Sequence, residues 1–290
     1  MLYNIRDIKE KIMSECTHNC DTCKDGSCKD RKSMLVTPNK TTEIGKIIAV
    51  VSGKGGVGKS LVTSMLAVNA SNRGLKTAIM DADVTGPSIP RCFGVDGIKR
   101  AQGSEEGLIP VESDGGIKIM SINLLLDEPT RPVIWRGPVI SAVVQQFYTD
   151  VLWKKNDVMF IDMPPGTSDV PLTVFQSLPI DGVIIVATPQ DLVGMIVEKS
   201  VNMAKTMNIP IVGVIENMSY YVCPKCGEKE YIFGKGKVKV AAEKYGVPFL
   251  AEIPIDPNNR KLTDDGEIDK ADVSVLDTAI DAIMKLNKRG

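Results

Sequence analysis

The chain has 290 residues, 43% of them hydrophobic, enough apolar material for one large α/β core or for two smaller ones. A formal net charge of −1 and an aromatic content of 5% give no global electrostatic case for nucleic acid or anionic lipid and few rings on which single-stranded bases could stack. No apolar run reaches the ~20 residues that span a bilayer, and Met1 to Asp7 lack the apolar core of a secretory signal, so the expectation is a cytoplasmic protein that binds neither membrane nor nucleic acid.

Residues 1–42 read as a cysteine-rich arm. Leu2, Ile5, Ile8 and Ile12 could line one face of a short helix, and the stretch from Lys29 to Thr42 reads as a linker. Four of the seven cysteines lie in the arm as Cys16-x3-Cys20-x2-Cys23-x4-Cys28. Clustered cysteines in a cytoplasmic chain are metal ligands before they are disulfides. Four thiolates in so short a stretch complete the ligand set of one [4Fe–4S] cluster, or of one zinc ion. His18, the only histidine, lies between Cys16 and Cys20, as a ligand or as a solvated loop residue.

Residues 43–290 read as one domain in which strands and helices alternate. Expected strands are Ile47–Val51, Thr77–Met80, Ile117–Ile122, Val158–Ile161, Val183–Ala187, Ile211–Ile215 and Phe249–Ile253. Expected helices are Leu61–Arg73, Val139–Tyr148, Leu192–Thr206, Val238–Tyr245 and Val273–Leu286. Short apolar strands separated by helices imply a mostly parallel sheet covered on both faces.

Between the first strand and first helix lies Gly53-Lys54-Gly55-Gly56-Val57-Gly58-Lys59-Ser60, followed by Leu61. Glycines let successive backbone N–H groups turn toward an anion, and the helix N-terminus adds its partial positive charge. In that strand–loop–helix setting Lys59 reaches the β- and γ-phosphates and the Ser60 hydroxyl can ligate Mg²⁺. Lys54 is a second cation inside the loop, not required by the general pattern. At this point the chain resembles the deviant-Walker-A ATPases, the P-loop class that includes MinD, ParA and the nitrogenase iron protein. The resemblance implies that Lys54 contacts the nucleotide of the opposite subunit in a face-to-face homodimer. Many members have threonine where this chain has Leu61, so a side-chain contact to the α-phosphate is missing here and only the backbone N–H remains.

Two later strands end in carboxylates, at the sheet edge where open α/β folds bind ligands. Asp81-Ala82-Asp83 falls in the family's switch I, which implies Asp81 in the magnesium shell and Asp83 at the hydrolytic water. Val158 to Ile161 followed by Asp162 is a Walker B arrangement, with Asp162 serving Mg²⁺. Met163-Pro164-Pro165-Gly166-Thr167 then resembles switch II. At the end of Ile211–Ile215, Glu216-Asn217-Met218 matches a site where the family hydrogen-bonds adenine, which makes Asn217 the base-recognition residue and ATP the nucleotide.

Cys223-Pro224-Lys225-Cys226 presents two thiolates to one metal. One pair cannot fill a four-ligand site, but a two-fold axis would bring two pairs together. That geometry suits a bridging [4Fe–4S] cluster; zinc or an unoccupied redox pair remain the alternatives. With this motif the resemblance sharpens to the Mrp/ApbC-type iron–sulfur cluster carriers, over about Lys46 to Lys288. It implies a weak ATPase that assembles a labile cluster and passes it to apo iron–sulfur proteins, alongside cluster assembly factors. A positioning ATPase of the MinD/ParA type and a zinc-stabilised nucleotide switch are the competing expectations. Cys92 stands alone and reads as a packed small hydrophobe.

Overall fold

The computed structural model describes residues 35–126, 137–166, 169–190 and 193–288. The four arm cysteines, His18, Thr167 and the short apolar period from Leu2 to Ile12 lie outside the described residues. Of the segment read as linker, the described part is tied down. Val36 N–H donates to Ser177 O at 2.8 Å, and Asn39 Nδ2 donates to Glu106 O at 3.0 Å.

The strands are β1 (Glu43–Val51), β2 (Thr77–Asp81), β3 (Gln102–Ser104), β4 (Gly107–Ile109), β5 (Val111–Glu112), β6 (Lys118–Met120), β7 (Lys155–Asp162), β8 (Gly182–Ala187), β9 (Ile211–Glu216), β10 (Tyr221–Val222), β11 (Lys229–Glu230) and β12 (Phe249–Glu252). Eight of them form one sheet in the order β12-β9-β8-β1-β7-β2-β6-β5. Every neighbouring pair is parallel except β5–β6 at the edge. The order reverses around β1, and the flanking strands β7 and β8 both leave their carboxyl ends beside the loop that follows β1. Ligands of open parallel sheets bind at such a reversal.

Helices cover both faces. The period-two alternation of β1 sorts its side chains: Ile47, Ala49 and Val51 enter one core, Ile48 and Val50 the other. The first core is closed by α3 (Gly137–Thr149), α4 (Asp169–Ser177), α5 (Val193–Thr206) and α6 (Lys237–Lys244). The second is closed by α1 (Lys59–Asn72), the short α2 (Ile89–Cys92) and α8 (Asp277–Met284), with α7 (Pro257–Asp265) packed near α2. In α8 the apolar side is occupied: Ala279, Ile280 and Ile283 are buried against the sheet. The expected helix from Val273 begins instead as a 3₁₀ turn, Ser274–Leu276, because the α-helix proper starts only at Asp277.

The fold adds elements that periodicity does not announce. The expected strand Ile117–Ile122 stops at Met120 and turns into a 3₁₀ segment at Ile122–Leu124, which lets Ser121 face the second strand. β3–β4 and β10–β11 are short hairpins with two or three residues a side, too brief for alternation to register. α7 is polar along most of its length and is set by its caps: Asp256 accepts from Asn258 N–H, and Gly266 ends the helix at φ 74°.

The sheet has little room where β9 meets β12. A Cβ on Gly213 would lie 2.5 Å from Leu250 Cγ and 2.6 Å from Pro248 O. Gly213→Ala is expected to destabilise the protein by about 1–3 kcal/mol through overpacking, measured as a lower urea midpoint at unchanged slope.

Candidate nucleotide site and cysteine hairpin

The loop from Ser52 to Gly58 joins β1 to α1. Gly56 and Gly58 have φ of 79° and 76°, in the left-handed region where a side chain is strained. Gly58 caps α1, and a Cβ there would also collide with the Asn217 amide. The loop is pinned from two sides. Ser52 Oγ donates to Lys54 O at 3.0 Å, and Gly166 N–H, from the switch II match, donates to Ser52 O at 2.9 Å.

Lys59, Ser60 and Asp162 converge. Lys59 Nζ lies 2.7 Å from Asp162 Oδ2, and Ser60 Oγ donates to the same oxygen at 2.6 Å. Lys59 and Asp162 have only 6% and 0% of their side chains exposed, so the charges balance each other out of water. Thr63, which the sequence reading missed, places Oγ1 2.7 Å from the other oxygen, Asp162 Oδ1. Its signal was available, since Thr63 lies four residues after Lys59 and so on the same helix face.

Asp81 and Asp162 are direct cross-strand partners on β2 and β7. Asp81 is 1% exposed; its Oδ2 accepts from Ser121 Oγ at 3.0 Å and its Oδ1 from Asp83 N–H at 3.1 Å. Burial, with the Asp162 charge beside it, pushes the Asp81 carboxyl from 3.8 up to about 8. Asp83 is raised as well, chiefly by burial, and lines an open cavity of about 290 Å³ together with Gly55, Lys59, Ser60, Ser88 and Thr263. Cys92 also borders the cavity; burial pushes its thiol up to about 11, so it is a neutral, packed group there.

Two candidate nucleotide residues have partners within the chain. Lys54 Nζ donates to Gln190 Oε1 at 2.6 Å. Asn217 is 2% exposed, and its Nδ2 donates to Val57 O of the loop at 2.9 Å. Its N–H donates to Ala187 O at 2.8 Å, so it joins β8, β9 and the phosphate loop.

Cys223 and Cys226 sit between β10 and β11. Cys223 N–H donates to Glu228 O at 2.9 Å and Gly227 N–H to Cys223 O at 2.8 Å, and Gly227 turns the chain at φ 75°. The Cys223 thiol is held below its ordinary pKa by the backbone N–H of Cys226, then that of Lys225, aimed at its sulfur. Such donors favour thiolate, the metal-binding form. Cys226 is exposed. Among the described residues no group of three or more His, Cys, Asp or Glu side chains could hold a metal within one subunit.

Residues 43–286 match the family model described as ParA, NUBPL iron-transfer P-loop NTPase. This chain belongs to that family. It is 45% identical to the "Iron-sulfur cluster carrier protein" of Methanocaldococcus jannaschii, covering 88% of this chain and 90% of that one. It is 44% identical to the "Cytosolic Fe-S cluster assembly factor CFD1" of Eremothecium gossypii, covering 78% of this chain and 83% of that protein. Among solved structures, the nucleotide-binding protein of Archaeoglobus fulgidus in complex with ADP is 46% identical, with a TM-score of 0.71 over 78% of this chain and 88% of that chain. The cell division ATPase MinD of Pyrococcus furiosus, at 21% identity and a TM-score of 0.58 over 83% of this chain and 99% of that one, shares the fold.

For this iron-transfer P-loop NTPase the donor set suits a magnesium nucleotide: a hydroxyl and carboxylates at the sheet edge, under a loop whose glycines leave the backbone N–H groups uncovered. The folded protein keeps a proton on Asp81 that the unfolded chain releases, so the stability this group contributes is full below pH 3.8 and is lost as the pH rises through about 8. Asp81→Asn is therefore expected to stabilise the magnesium-free protein at pH 8 and to change little at pH 4, checked by urea midpoints at the two pH values.

Proposed function

We propose that the protein is a cytoplasmic, ATP-hydrolysing homodimer that assembles a labile iron–sulfur cluster on Cys223 and Cys226 and transfers it to apo-proteins. The observation that carries this reading is the joining of two sites by one strand: β9 delivers Asn217 to the phosphate loop and, six residues on, Cys223 to an exposed thiolate turn. The likeness to an iron-sulfur cluster carrier protein and a cytosolic Fe-S cluster assembly factor, at 44–45% identity, supports it.

In this reading the loop N–H groups and Lys59 bind the β- and γ-phosphates, and the amide oxygen of Asn217 accepts from the adenine amino group. Bound Mg²⁺, on Ser60 and Asp162 with Asp81 behind them, would neutralise charge on the phosphates. Asp83 accepts a hydrogen bond from the water that attacks the γ-phosphorus as the bond to the β-phosphate oxygen breaks. Lys54 leaves Gln190 and reaches the nucleotide of the second subunit. Two hairpins then supply four thiolates to the cluster cargo. Transfer is ligand exchange: acceptor thiolates replace Cys223 and Cys226 at iron, and the displaced thiolates take the protons that the acceptor thiols lose. Cys16, Cys20, Cys23 and Cys28 would hold a second [4Fe–4S] cluster within one subunit. Apo iron–sulfur proteins and cluster assembly factors are the partners.

A positioning role finds less support, because the apolar side of α8, the amphipathic helix such a role would lay on a membrane, is buried in the core. No described helix is long and apolar enough to cross a membrane.

Protein purified without oxygen is expected to carry iron and acid-labile sulfide in equal amounts, reduced in the Cys223→Ser/Cys226→Ser double variant. Zinc alone, or no metal after reconstitution, would sink the carrier reading. Lys59→Ala is expected to lower ATP turnover by at least about 100-fold, a loss of the size seen when one charge-stabilising group is removed. Lys54→Ala should lower turnover while each subunit still binds nucleotide, measured by titration calorimetry beside a steady-state assay.

A further inference from the structure

Glu216 is a buried carboxylate with no part in phosphate chemistry. It is 0% exposed at the end of β9, and among the described residues no ion pair includes it. Its oxygens are instead divided between two donors. Oε1 accepts from the Ser219 hydroxyl, and Oε2 accepts from Val238 N–H at 3.3 Å. Ser219 and Val238 are the two feet of the excursion that carries Cys223 and Cys226. The chain leaves the sheet just before Ser219 and returns at α6, whose second residue is Val238. The near foot has further anchors on the segment that follows β12: Ser219 N–H donates to Ile253 O at 2.9 Å and Ile255 N–H to Tyr220 O at 2.7 Å. At the far foot Glu216 accepts from Val238 N–H, where α6 packs against β9.

The next two residues touch the phosphate loop. Asn217 Nδ2 holds Val57 O, and Met218 Cε lies 3.7 Å from where a Cβ on Gly58 would stand. Met218 has φ 58°, a left-handed conformation unusual for a residue with a side chain. Such a residue persists where the surroundings over-determine it, and here it forms the bend between loop and hairpin. A displacement of Val57 and Gly58 by bound phosphate therefore meets Asn217 and Met218 directly, and Glu216 is the adjoining residue on the same backbone.

We propose that Glu216 is a positioning residue that clamps both feet of the C-x-x-C excursion and, through Asn217 and Met218, makes the placement of the two thiolates depend on the nucleotide. This rests on the carrier reading for the nature of the cargo and on the contacts alone for the coupling. A carboxylate can accept at both oxygens; a glutamine could still hold both feet, accepting from Val238 N–H and donating to the Ser219 hydroxyl, whereas Glu216→Met offers no such partner and releases both. Ser219→Ala removes the near contact and leaves Glu216 its bond to Val238.

The test is amide hydrogen exchange of the full-length protein, read by mass spectrometry over the peptide 219–238, with and without ADP or a non-hydrolysable ATP analogue. Cluster loss to an iron chelator is timed in parallel. In the wild type, nucleotide is expected to change exchange at Cys223 and Gly227. In Glu216→Met, exchange there should be about 10-fold faster and insensitive to nucleotide, with cluster loss faster by a similar factor. Ser219→Ala should move in the same direction by less. A purely structural role would speed exchange and leave the nucleotide response in place; that result overturns the proposal, as does a wild-type hairpin that ignores nucleotide. If Glu216→Met does not fold, Ser219→Ala decides. If the wild type binds no iron or sulfide, the carrier reading fails, while the exchange measurement still tests the clamp.

Discussion

The pairing of Lys59 with Asp162 is the constraint around which the nucleotide end of the molecule is arranged. A carboxylate with no exposed surface needs a counter-charge and donors, because an unpaired buried charge is far costlier than a surface one. Lys59 supplies the charge from the first turn of α1, while Ser60 and Thr63 supply hydroxyls from the same helix. Those partners can arrive together only if the helix starts immediately above the carboxyl end of β7. Gly58 in the left-handed region makes that start possible.

The same arrangement explains the neighbouring carboxylate. Asp81 stands opposite Asp162 in the parallel register, and one lysine cannot fully balance two buried acids. The outcome is a proton on Asp81 near neutrality, supported by Ser121. A bound cation is the natural replacement for that proton.

The second site is built on different physics. Cys223 and Cys226 lie on a small hairpin at the surface, where the polypeptide offers N–H groups to sulfur and little burial. Its order comes from its feet and not from a core. Such a segment responds to small changes at its anchors, whereas the close-packed sheet does not.

Composition and pattern alone determined the α/β class, the buried parallel strands, the phosphate loop and the paired cysteines. These are legible because they rest on local rules: continuous apolar runs for strands buried on both faces, glycines where φ must be positive, and carboxylates at strand ends. Only the tertiary structure decided which groups meet across the sheet. Thr63 beside Asp162, Ser121 beside Asp81, Gln190 beneath Lys54 and Glu216 between Ser219 and Val238 all join residues from separate elements, and no short-range pattern encodes a strand order. The short hairpins and polar α7 were equally hidden, since elements this brief or this solvated carry no periodic hydrophobic signal and take their shape from what they dock against.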